Sequence, residues 1–150
     1  MTIGAREMLA SRPEVTIVYT RDDAVLKGRD ARWFPRVDTI AMHKDLRGLS
    51  WRCAIMHELG HVVLGHPAGC DNAFYDQRNE MAADEFAARH LLPDLDAIGQ
   101  EIATTATHGH AARNLGVILD LLEVRLRTLD EDEHRQIDRI VYAIQEGRGC

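Results

Sequence analysis

His57, Glu58 and His61 fall in a His-Glu-x-x-His pentapeptide, His57-Glu58-Leu59-Gly60-His61. Histidines four residues apart lie on one face of a helix, so two imidazoles can reach the same metal ion. Glu58 is turned by about 100° from His57, which sets a carboxylate beside the position left for water. Zinc lowers the pKa of such a water, and a neighbouring carboxylate can take its proton. The chemistry this spacing implies is metal-assisted hydrolysis, with a peptide bond as the expected target.

Three fixed positions in five residues are a weak signal alone, and two solvated histidines on a surface helix are the alternative. The flanks argue for burial: Ala54, Ile55, Met56, Leu59, Val62, Val63 and Leu64 surround the motif, and a helix that is apolar all round is buried. Polar groups left unpaired there cost roughly 2–7 kcal/mol each, and a metal would satisfy both histidines. Ser50 is the expected N-cap of this helix, Gly65 its C-terminal residue, and Pro67 forbids continuation.

A catalytic zinc site takes three protein ligands and keeps one position open. The spacing His-Glu-x-x-His-x-x-Gly-x-x-His would require Gly at 64 and His at 67, where the chain has Leu64 and Pro67, with Gly65 and His66 each displaced by one. The other source is a second helix over Asp76 to Leu92, stopped by Pro93. Glu80 on its face can reach the metal, and Asp84, one turn on, can accept the other ring N–H of a ligating histidine. Ala82, Ala83, Ala87 and Ala88 let the two helices approach closely. An ordinary acidic pair on a solvated face, with Ala present for helix propensity, remains open as the other reading of these residues. An oxyanion donor is also needed; Tyr75, His43, His66 and Arg78 are nearby in sequence without motif support, while His90, His108, His110 and His134 read as solvated. Cys53, one turn before His57, reads as a buried apolar cysteine.

The elements that must position these groups begin with a short helix over residues 3–10. Val15-Thr16-Ile17-Val18-Tyr19 reads as a strand, Ala24 to Trp33 as an ambiguous second strand broken at Gly28, and Val37 to His43 as a third. The expected arrangement is an α+β fold, with a small antiparallel sheet of about three strands packed on the metal-site helix. Beyond Pro93 the chain turns helical: Leu95 to Ala103, Ala111 to Gly116, Val117 to Thr128, and Asp130 to Gln145, the last with Asp130 and Glu133 at capping-box spacing. Ile137, Ile140, Val141 and Ile144 give that last helix one apolar face. The segment Ala112 to Val117 has a faint helix-turn-helix look.

With 150 residues, 45% hydrophobic and 28% charged, the chain is expected to be a single domain, residues 15–93 forming the core and 94–150 a helical region. No apolar run is long enough for a membrane span, and the N-terminus has no signal-like apolar stretch. Cys53, Cys70 and Cys150 make an odd number without close spacing, which suits a reduced, cytoplasmic protein. A net charge of −6 argues against direct nucleic-acid binding.

His57 to His66, followed by Glu80-x-x-Ala83-Asp84-x-Phe86-Ala87-Ala88 and Leu91-Leu92-Pro93, resembles the ImmA/IrrE metallopeptidases over roughly residues 15–130. The resemblance implies a zincin-like fold and one Zn2+ held by His57, His61 and Glu80, with Glu58 as general base and Asp84 supporting a ligand. It further implies an edge strand that pairs with extended substrate, near Thr39-Ile40-Ala41-Met42; an ordinary interior strand stays open as the other reading of these residues. The implied activity is that of a cytoplasmic endopeptidase, of phage or mobile-element type, cutting a helix-turn-helix transcriptional repressor. A non-catalytic, metal-stabilised module that binds such a partner is the alternative.

Overall fold

The computed structural model describes residues 4–68 and 72–149, so Cys70 and Cys150 lie outside the described residues. The element order is α1 (Ala5–Ala10), β1 (Thr16–Thr20), α2 (Asp23–Leu26), β2 (Ala31–Phe34), a 3-10 turn (Pro35–Val37), β3 (Thr39–His43), α3 (Gly48–Leu64) and α4 (Ala73–Leu91). Four further helices complete it: α5 (Leu95–Thr104), α6 (His108–Leu115), α7 (Leu119–Arg127) and α8 (Glu131–Arg148). The architecture is α+β, with a helical C-terminal region as expected.

The three-stranded sheet is mixed rather than antiparallel. Its order is β1-β3-β2, with β1 and β3 parallel and β2 and β3 antiparallel. Parallel neighbours need a crossover of a dozen or more residues, and the segment holding α2 and β2 supplies it. Consecutive strands read as neighbours by default, and here β1 and β2 are not. The segment read as one broken strand is thus a short helix, a turn and an edge strand. Asp22 caps α2 by accepting from Ala24 N at 2.9 Å. Lys27 and Gly28 then both take left-handed backbone, φ 52° and 74°, and swing the chain back into β2.

Strand alternation sorts β3 between two layers. Ile40 and Met42 join the main core with Ile55, Met56 and Leu59 of α3, while Ala41 faces the other side, where α2 packs with its buried Leu26. Each of the large side chains in this core is worth about 1.5–3 kcal/mol by burial. Helix α3 starts at Gly48 after Arg47, not after Ser50, because the left-handed Gly48 (φ 55°) already turns the chain into the helix. It ends as expected at Gly65, φ 68°.

Helices α3 and α4 pack along their length. Gly60 sits where a Cβ would lie 3.1 Å from Phe86 Cδ1 and 3.2 Å from Ala83 Cα. Ala83, Ala87 and Ala88 are fully buried in that contact layer. The C-terminal helices are fastened by Arg125, only 3% exposed, which donates to Leu92 O at 3.0 Å and pairs with Glu133 at 2.7 Å. Glu133 also completes the capping box with Asp130 at the start of α8.

Candidate metal centre and active site

Helix α3 contributes His57, Glu58 and His61, and α4 contributes Glu80 and Asp84, across the close contact made possible by Gly60 and Ala83. His57 Nε2 lies 3.1 Å from His61 Nε2. The Glu80 carboxylate presents one oxygen to each ring, Oε2 3.1 Å from His57 Nε2 and Oε1 3.3 Å from His61 Nε2. Ligands about 2.0–2.1 Å from a tetrahedral ion stand about 3.3–3.4 Å apart. The nitrogen–nitrogen edge is close to that spacing and each ring faces a Glu80 oxygen at a similar distance; one ligand atom from each of His57, His61 and Glu80 lies within 4.8 Å of the other two, so the three form a possible metal-binding group.

The outer atoms support this reading. His57 Nδ1 lies 2.7 Å from Asp84 Oδ1. A carboxylate accepts, so Nδ1 carries the hydrogen and Nε2 has its lone pair free for a metal. His61 Nδ1 lies 2.8 Å from His66 Nδ1; for His61 Nε2 to ligate, His61 Nδ1–H donates and His66 accepts. Burial, together with the nearby His61, lowers the pKa of His66, which favours the neutral acceptor. His66 thus orients His61 as Asp84 orients His57. Its ring also lines the smaller cavity beside Glu58.

Burial opposes a charge on His57, yet hydrogen bonds to Asp84 and Glu80 outweigh it and raise its pKa to about 10. Glu80 is held well below the usual carboxylate range by His57 and His61. Glu58 is 4% exposed, and burial pushes its carboxyl up against the pull of His57 and His61. Among the described residues no hydrogen bond engages its carboxylate, which lines two cavities of about 180 and about 310 Å³.

Arg29 also lines both cavities and donates from Nη1 to Glu80 Oε1 at 2.9 Å. Nothing in its local sequence marks it, because a turn between α2 and β2 brings it to a partner on α4. Tyr75 and His43 are not brought to the site. Tyr75 is 54% exposed at the start of α4, and His43 Nδ1 accepts from Asp45 N at 3.1 Å in its own turn. Neither they nor Arg78 line either cavity. Cys53 is buried, its pKa raised by that burial, and it stands outside the ligand group. His90, read as solvated, instead donates from Nδ1 to Phe86 O at 2.8 Å and stacks on the Phe86 ring.

The strand expected at the substrate edge, Thr39 to Met42, is the central one, paired on both sides. The edge beside the site is β2, whose Arg32, Trp33 and Phe34 line the smaller cavity. Among the described residues no helix is long and apolar enough to cross a membrane.

No curated protein and no solved structure matches the chain. The family model Peptidase_M78, described as the IrrE N-terminal-like domain, matches residues 10–127 and so takes in both ligand-bearing helices and the sheet. With that match spanning most of its length, the chain belongs to the IrrE N-terminal-like domain family of peptidases.

Proposed function

We propose that the chain is a zinc-dependent endopeptidase that cuts an extended segment of a protein partner in the cytoplasm. The observation that carries this is Glu58, a buried carboxylate beside the three candidate metal ligands, lining the cleft and, among the described residues, engaged by no hydrogen bond. A site built only for stability closes its fourth position and has no need of a carboxylate there. Two nitrogens and one carboxylate oxygen suit zinc. When bound, zinc supplies Lewis acidity to the scissile carbonyl and acidifies the attacking water. Glu58 takes the proton from that water and returns it to the leaving amine. Asp84 and His66 hold the ligating rings in the required tautomer, and Arg29 holds the second oxygen of Glu80. Substrate backbone would add to the free edge of β2 by strand pairing. The partner we propose is a helix-turn-helix transcriptional repressor, on the resemblance of the two motifs.

Glu58→Gln tests the proposal. It should keep its zinc and lose cleavage of a co-expressed repressor by about 10²–10⁴-fold, the range of general-base loss. Wild type that carries zinc, binds the repressor and never cuts it would overturn the peptidase reading in favour of a binding module.

A further inference from the structure

The cleft wall formed by α2, its following turn and β2 carries Lys27, Arg29 and Arg32. Arg29 is matched by Glu80. Lys27 and Arg32 make no ion pair among the described residues. Arg32 is held instead by neutral groups: Nη1 donates to Val25 O at 3.1 Å, and the guanidinium lies 4.9 Å above the Phe34 ring. Among the described residues that leaves a fixed cation with most of its five donors unused. Of the acids at this cavity, Glu80 is in the candidate metal group, Glu58 stands beside it, and Asp76 acts electrostatically on Arg29. Two cations on one wall, unmatched among the described residues, contrast with a chain of net charge −6.

Register says which substrate residue they would meet. Arg32 pairs with Ala41 and Trp33 with Ile40. Arg32 and Phe34 thus share the α2 face of the sheet, and Trp33 shares the α3 face, where the metal ligands are. A peptide strand added to β2 alternates in the same way. Side chains of one parity face the metal centre, and those between them lie beside Arg32 on the other face. Opposite charges in cross-strand positions stabilise a strand pair.

We infer that Arg32, assisted by Lys27, selects peptides with an acidic side chain at a position alternating with those that face the metal centre. This rests on the strand-addition reading of the site, and it makes acidic extended segments the substrate class. Arg32 is a specificity-determining residue here, outside the proton-transfer machinery.

The test uses the full chain loaded with zinc and a peptide set in which one Glu is walked along an otherwise neutral sequence, with Gln and Lys at the same positions. Binding is measured on Glu58→Gln and cleavage on wild type. At one position the Glu peptide should bind about fivefold more tightly than its Gln counterpart, the upper range for a cross-strand charge pair, and the Lys peptide more weakly still. The preference should shrink with added salt and vanish when Arg32→Gln is introduced into both proteins. Arg32→Lys should keep part of it, and Lys27→Gln should reduce it with zinc content unchanged. Equal affinity for Glu, Gln and Lys peptides overturns the inference, and so does a preference that survives Arg32→Gln. Cleavage without charge preference removes the inference and leaves the peptidase reading intact. Preferential binding without cleavage supports the inference and removes the peptidase reading. Peptides neither bound nor cut remove both.

Discussion

His57 carries a proton in the metal-free chain where an ion would otherwise sit between it and Glu80. Two carboxylates stabilise that proton and hold the pKa near 10. Because the folded pKa lies above the ordinary value of 6.5, this charge stabilises the metal-free fold fully below about pH 6.5, and the gain is lost as pH rises through about 10. On the proposed reading, zinc must expel the same proton. Calorimetry at pH 8 in buffers of different ionisation enthalpy should show about one proton released per zinc bound, with affinity rising as pH increases; binding with no proton exchanged would contradict the assignment of His57. Asp84→Asn should weaken zinc about 10–100-fold, the usual cost of losing a ligand's outer hydrogen bond. His66→Ala should act in the same direction through His61. Glu80→Ala should release zinc outright, and unchanged stoichiometry would remove Glu80 from the ligand set.

At the scale of elements, the site depends on how closely two helices approach. A methyl group at residue 60 would press on Phe86 and on the Ala83 backbone. Gly60→Ala should cost about 1–3 kcal/mol, as overpacking does, and lower Tm by roughly 2–4 °C for each kcal/mol in a chain of this size. Because α3 and α4 each supply ligands, zinc affinity should fall with it. Gly147 on α8 has nothing within 4 Å of such a methyl, so Gly147→Ala should leave zinc affinity unchanged and raise stability by up to about 1 kcal/mol through helix propensity. Similar Tm values for the two variants would show that the α3–α4 contact has slack. The small residues Ala83, Ala87 and Ala88 made this approach legible in the sequence, as did the four-residue spacings of His57 with His61 and of Glu80 with Asp84. Arg29 and the parity of β2 were not legible, because both depend on a turn through two left-handed residues that no local pattern of charge or hydropathy records.

Across the whole molecule, the buried Arg125 joins α7 to α8 through Glu133 and to the end of α4 through Leu92 O. The guanidinium of Arg125 pulls the Glu133 pKa down to about 2. A depressed carboxylate contributes stability that is complete above its unfolded value near 4.5 and is lost as pH falls through about 2. The Tm advantage of wild type over Glu133→Gln should therefore be full at neutral pH and shrink below about pH 4.5; an advantage that stays constant with acid would exclude this pairing as its source. The helical C-terminal region was readable from the capping box at Asp130 and Glu133, whereas the sheet order was not. Strand alternation tells which face a residue takes, and says nothing of which strand lies beside which when a crossover intervenes. That order also sets a timetable for the chain as it leaves the ribosome. Both β1 and β2 are made before β3, the one strand to which either can bond. Until Thr39–His43 has emerged, the inner edges of both strands stand open to any neighbouring chain, and one segment closes both inner edges. A nascent chain stalled with Thr39–His43 still inside the ribosome should be sticky, and one in which that segment has emerged much less so.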